Sequence, residues 1–107
     1  MRVAALALLT LLVQPAMAVD QLVLTIENRS SIALERLNVF PIGKDGEAIE
    51  DNLGAILEDV PPGGSFALKL SLSRCETVRG YAGLAGRDDD VPVDIDLCKE
   101  PKLVLKD

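Results

Sequence analysis

Cys75 and Cys98 are the only cysteines in the chain, and the segment between them folds on itself in one productive register. A turn about Gly86-Arg87, good turn formers together with Asp88, sets Cys75 opposite Cys98. Val78 then faces Ile95, Gly80 faces Val93 and Ala82 faces Val91, all apolar or small and all on one side. The other side pairs Thr77 with Asp96 and Arg79 with Asp94. Apolar against apolar and cation against anion are the cross-strand pairs that stabilise an antiparallel ribbon. A slip by one residue would turn Asp94 and Asp96 into the core. The register therefore predicts two strands and one structural disulfide, closing a loop worth roughly 3 kcal/mol in the chain-entropy model. No Cys-x-x-Cys spacing is present to lower a thiol pKa, so a redox-active pair is not the reading.

A disulfide needs an oxidising compartment, and the N-terminus reads as the route to one. Arg2 precedes an apolar run from Val3 to Val13, Gln14 and Pro15 break it, and Ala16-Met17-Ala18 places small residues where a signal peptidase reads. Residues 1–18 are expected to be a signal peptide cleaved after Ala18, leaving residues 19–107 as one β-sandwich domain. The run is too short for a spanning helix, which needs ~20 apolar residues. No charged residue interrupts it, and Thr10 alone does not make the second face of an amphipathic helix. No cysteine lies near the cleavage site to carry a lipid, and no Arg-Arg pair marks a twin-arginine route. A periplasmic or secreted protein, with no membrane insertion after cleavage, is the expectation.

The sequence carries 11 basic and 17 acidic residues, a net charge of −6, and loss of Arg2 with the leader makes this about −7. Such a surface repels nucleic acid and anionic lipid and favours a basic partner. So short a domain buries only about 60% of its unfolded surface. Phe40, Phe66 and Tyr81 are the only aromatic residues, so Leu, Ile and Val must make the core. A staple is the usual supplement to such a core.

Leu22, Leu24 and Ile26 alternate within residues 21–27 and predict a first strand. Asn28-Arg29-Ser30-Ser31 predicts a turn, and the same Asn28-Arg29-Ser30 matches the N-glycosylation acceptor pattern. Residues 32–40 predict a second strand, ended by Pro41. Leu34 lies on one phase and Leu37 and Val39 on the other, so a bulge is expected near Glu35-Arg36. Lys44-Asp45-Gly46 is a tight turn. Residues 48–59 leave two readings open, a single helical turn capped by Asp51 or an irregular stretch. Val60-Pro61-Pro62-Gly63-Gly64 is the strongest turn signal. Phe66, Leu68, Leu70 and Leu72 then alternate strictly with polar or small residues. This alternation fits core packing, and it also fits an edge that takes a partner strand. Further strands are expected at 76–84, 91–97 and 102–105. The fold class is all-β, a small antiparallel β-sandwich of six to seven strands with immunoglobulin-like proportions and one disulfide, lacking that fold's core tryptophan.

The chain has no histidine, which removes the commonest general base and transition-metal ligand together. No glycine-rich phosphate cradle opens a helix, since Pro62-Gly63-Gly64-Ser65 precedes a strand. No catalytic residue and no cofactor are expected, and the protein is read as a non-enzyme. Asp88-Asp89-Asp90, with Asp94 and Asp96 beyond, crowds carboxylates in the hairpin loop. Asp88, Asp90 and Asp94 are the candidate calcium ligands, against the plainer reading of a solvated acidic turn.

The order Ile26-Glu27-Asn28-Arg29-Ser30, Leu37-Asn38-Val39-Phe40-Pro41, Asn52-Leu53-Gly54, Pro62-Gly63-Gly64-Ser65, Cys75 and Asp96-Leu97-Cys98 resembles a group of small secreted bacterial proteins, mostly alphaproteobacterial. The likeness covers nearly all of residues 19–107. It implies a secreted or periplasmic β-sandwich, and it brings no catalytic or binding residue with it. The expected function is that of a binding or accessory module whose partner is an envelope protein. An acidic inhibitor of a basic envelope hydrolase and a calcium-dependent module are the alternatives.

Overall fold

The strictly alternating segments become strands, in an order set by their apolar faces. The structure, a computed structural model, describes residues 21–107. The expected leader, residues 1–18, and its expected cleavage position Ala18 lie outside the described residues. Seven strands succeed one another along the chain: β1 Leu22–Asn28, β2 Leu34–Pro41, β3 Gly54–Ile56, β4 Ser65–Leu70, β5 Thr77–Leu84, β6 Val91–Asp96 and β7 Lys102–Leu105. They form a three-stranded sheet in the order β4-β1-β7 and a four-stranded sheet in the order β3-β2-β5-β6. Chain-adjacent β1 and β2 lie in different sheets, as do β4 and β5, giving the crossed connections of an immunoglobulin-like sandwich.

The inward phases of both sheets make one aliphatic core. Leu24, Ile26, Leu68 and Leu70 meet Leu37, Val39, Val78 and Ile95, all of them buried. Each such side chain contributes about 1.5–3 kcal/mol on burial. The expected hairpin is present residue for residue, with Val78 paired to Ile95, Gly80 to Val93, Ala82 to Val91 and Arg79 to Asp94. Its tight turn sits one residue earlier than its midpoint. Arg87 N–H donates to the Leu84 carbonyl at 3.1 Å, and Gly86 takes the positive φ of 79° that such a turn requires. The disulfide Cys75–Cys98 closes the open end, with both cysteines exposed. The bulge also falls where the phase change places it, between Leu34 and Arg36.

Two elements differ from expectation. Residues 48–59 form no helical turn; the irregular reading holds for most of the stretch, and the addition is the short strand β3 at Gly54–Ile56. They run back along β2, where Ile49 N–H donates to Pro41 O and Leu53 N–H to Val39 O, pair with it as β3, and leave it at residues 57–59. The free edge of β2 supplies hydrogen bonds that a lone helical turn could not. The second difference is β7, which pairs with β1 in parallel in an otherwise antiparallel architecture. After β6 the chain reverses through residues 97–101, where the Asp96 carboxylate accepts from Cys98 N–H at 3.0 Å and Lys99 N–H at 3.2 Å. It then enters the other sheet in the same direction as β1.

Candidate functional site

The outer face of the four-stranded sheet holds what the core leaves out. Two of the chain's three aromatic residues lie here, Phe40 on β2 and Tyr81 on β5. Their rings meet edge to face, 5.8 Å between centroids at 65°. Such a pair is worth about 0.5–1.5 kcal/mol beyond its buried area. The ladders set the surrounding residues in three rows. The middle row runs Ala55, Asn38, Tyr81, Pro92 across all four strands. The second row runs Phe40, Arg79, Asp94.

The third row depends on a glycine. Arg36 lies opposite Gly83, and a Cβ at residue 83 would stand 2.6 Å from Arg36 Cγ and Cζ. Without that Cβ the Arg36 side chain crosses β5 and donates from Nη2 to Asp90 Oδ1 at 2.6 Å. On the opposite flank Arg79 donates from Nε and Nη2 to the two Asp94 oxygens, at 2.7 and 3.2 Å, and from Nη1 to Gly46 O at 3.0 Å. The aromatic pair is thus bracketed by two arginine–aspartate pairs. Asn52 Nδ2 donates to Asn38 Oδ1 at 3.0 Å, holding the amide of the middle row. Arg79, Tyr81, Pro92 and Asp94 line an open depression of about 540 Å³.

The same contacts draw on the acidic hairpin loop. Asp90 and Asp94, two of the three candidate calcium ligands, are each paired with an arginine. Asp88 is exposed in the loop, and among the described residues no group of three metal-ligating side chains comes together. The candidate glycosylation acceptor is likewise committed. Asn28 is 1% exposed. Its Nδ2 donates to Ile32 O and Val60 O, both at 2.9 Å. Its Oδ1 accepts from Ser30 N–H at 3.0 Å and Ser30 Oγ at 2.6 Å. Both amide hydrogens are used, so the side chain is a clamp across the turn.

Sequence reasoning paired Arg79 with Asp94 and missed Phe40, Tyr81, Asn38 and Arg36 as members of a site. A signal was present. Val78, Gly80 and Ala82 take the core phase of β5, which turns Tyr81 outward, and Leu37 and Val39 do the same for Phe40.

The ion pairs set an acid limit. The hydrogen bond from Arg79 holds the Asp94 carboxyl below its ordinary value of 3.8. Hydrogen bonds from Lys102 and then Arg29 hold Glu27 below 4.5. Ser31 N–H and then its hydroxyl lower Asp107 from 3.8. A carboxylate with a depressed folded pKa adds stability above its unfolded pKa, and that stability is lost as pH falls through the folded value. With no histidine to titrate, the melting midpoint is expected to stay level from about pH 6 to 8. It should fall as pH drops below about 4, where the carboxylates of the unfolded chain take up protons before these depressed ones do. Calorimetry across pH checks this, and a midpoint still level at pH 3 would remove these pairs from the account.

Among the described residues no helix is long and apolar enough to cross a membrane. Comparison with known protein families, with characterised proteins and with solved structures finds no match to this chain.

Proposed function

We propose that this protein is a non-enzymatic periplasmic or secreted binding module, one of the small secreted alphaproteobacterial sandwiches it resembles. It engages an envelope component through the outer face of its four-stranded sheet. One observation carries this reading. A chain with three aromatic residues and a marginal core places two of them outside that core, half-buried on the outer face of a sheet. Aromatic residues on such a face are enriched at recognition surfaces, because a ring offers contact area at low entropic cost. The exposed disulfide supports an oxidising compartment.

The test is retention by the envelope fraction of the source cell at physiological salt. The double variant Phe40→Thr/Tyr81→Thr keeps β-forming residues at both positions. It is expected to melt within about 10 °C of the wild type, the equivalent of losing one aromatic pair. Wild type should be retained and the folded double variant should not. Equal retention of both would overturn the assignment of this face.

A further inference from the structure

The chemistry of the outer face selects among ligands, given the binding role proposed for that face. We infer that the depression lined by Arg79, Tyr81, Pro92 and Asp94 binds a neutral oligosaccharide. The first argument is charge. Arg79 and Asp94 are the two charged residues that line the depression and they compensate each other, so the depression carries no net charge within a molecule of net charge −6. An anionic ligand would meet the field of the whole protein with no free cation to hold it. A cationic ligand would find in the depression one carboxylate, Asp94, with both oxygens already held by Arg79.

The second argument is hydrogen bonding. Asp94 is half-exposed, at 51% of its side chain, so its carboxylate keeps lone pairs that face an occupant of the depression. Covering it with a group that cannot donate would strand those lone pairs. A proline-rich peptide, the other neutral ligand that favours aromatic surfaces, has no N–H at its prolines and would do that. Arg79 has spent three N–H groups on Asp94 and Gly46 O. Of the five a guanidinium carries, the rest lie toward the Tyr81 hydroxyl, whose own O–H is left to donate to an occupant. The rim therefore needs a ligand that both donates and accepts at short spacing, as sugar hydroxyls do. The floor needs an apolar surface against Tyr81 and Pro92, and the C–H face of a pyranose ring supplies it.

The sequence provides its own reporter. Tyr81 is the only tyrosine and there is no tryptophan, so tyrosine fluorescence reads this depression alone. The intact protein would be titrated with cellohexaose, xylohexaose, maltohexaose and hexa-N-acetylchitohexaose. The controls are hexagalacturonate, an anionic sugar, and a proline decapeptide. At least one neutral hexasaccharide should give a saturable change below about 1 mM. Asp94→Ala, a change at an exposed position whose folding is checked by its melting curve, should weaken that binding about tenfold or more. No saturable response to any neutral hexasaccharide would overturn the inference. A response to hexagalacturonate alone would overturn the neutrality of the ligand, and a response to the decapeptide alone would overturn the sugar class, either leaving the face a binding surface. Envelope retention unaffected by Phe40→Thr/Tyr81→Thr would instead overturn the face itself.

Discussion

Asn28→Ala is expected to cost about 2–4 kcal/mol of folding stability, among the largest losses available to a single substitution in this protein. The side chain is buried and makes four hydrogen bonds. The two acceptor carbonyls would survive its loss. Val60 O also accepts from Leu34 N–H, and the one Ser30 hydroxyl hydrogen, released from Asn28 Oδ1, is left for Ile32 O at 2.8 Å. The unprotected group is Ser30 N–H, whose bond is to Asn28 Oδ1 in a buried turn. An alanine would leave that donor unsatisfied, open a void and uncouple residues 28–32 from Val60. Asn28→Asp separates the contributions, because it keeps the acceptor for Ser30 and removes both donors. It should cost at least as much, since it places a carboxylate against two carbonyl oxygens where water is excluded. Urea denaturation would measure both. A loss below about 0.5 kcal/mol for Asn28→Ala would show that the turn holds without the clamp.

Removing the disulfide is expected to cost roughly 3 kcal/mol, whether by Cys75→Ser with Cys98→Ser or by reduction. The two cysteines are 23 positions apart, and the loop they close is the whole β5–β6 hairpin. Small domains begin from about 5 kcal/mol of total stability, so the reduced protein should retain a minor share of it. Both cysteines are exposed, so reductant should reach the bond in native protein without denaturant. Thermal melting with and without dithiothreitol is the measurement. An unchanged midpoint after complete reduction would show that the hairpin register and the core suffice alone. Two reactive thiols in denatured, unreduced protein would show that the bond is not formed.

The hairpin and the strand faces were legible because their causes are local. Cross-strand pairing about one turn needs only the residues between Cys75 and Cys98. Alternation at period two states which side chains share a face without reference to the rest of the chain. The bulge at Leu34/Arg36 was legible for the same reason. Residues 48–59 were not. Leu53, Ile56 and Val60 are buried at spacings of three and four, which by itself mimics a helical period. What makes this segment extended is the β2 edge, which accepts Leu53 N–H through Val39 O. The clamp at Asn28 was half legible. It continues the phase of Leu24 and Ile26 and so points inward, but its partners at Ile32 and Val60 belong to segments whose approach the sequence does not specify. The candidate site was hardly legible. Alternation shows that Phe40 and Tyr81 oppose the core, and only the pairing of β2 with β5 brings their rings together.

By itself, then, the sequence determined the all-β class, the inward residues of most strands, the register of the β5–β6 ribbon and its disulfide. Each follows from alternation and pairing over short separations. Only the tertiary structure decided the parallel partnership of β1 with β7, the strand character of β3, and the assembly of the outer face. These depend on contacts between segments far apart in the chain. The energy of such contacts lies in filling a neighbour's free edge or face, and a pattern read along one strand reports its own faces but not what will lie against them.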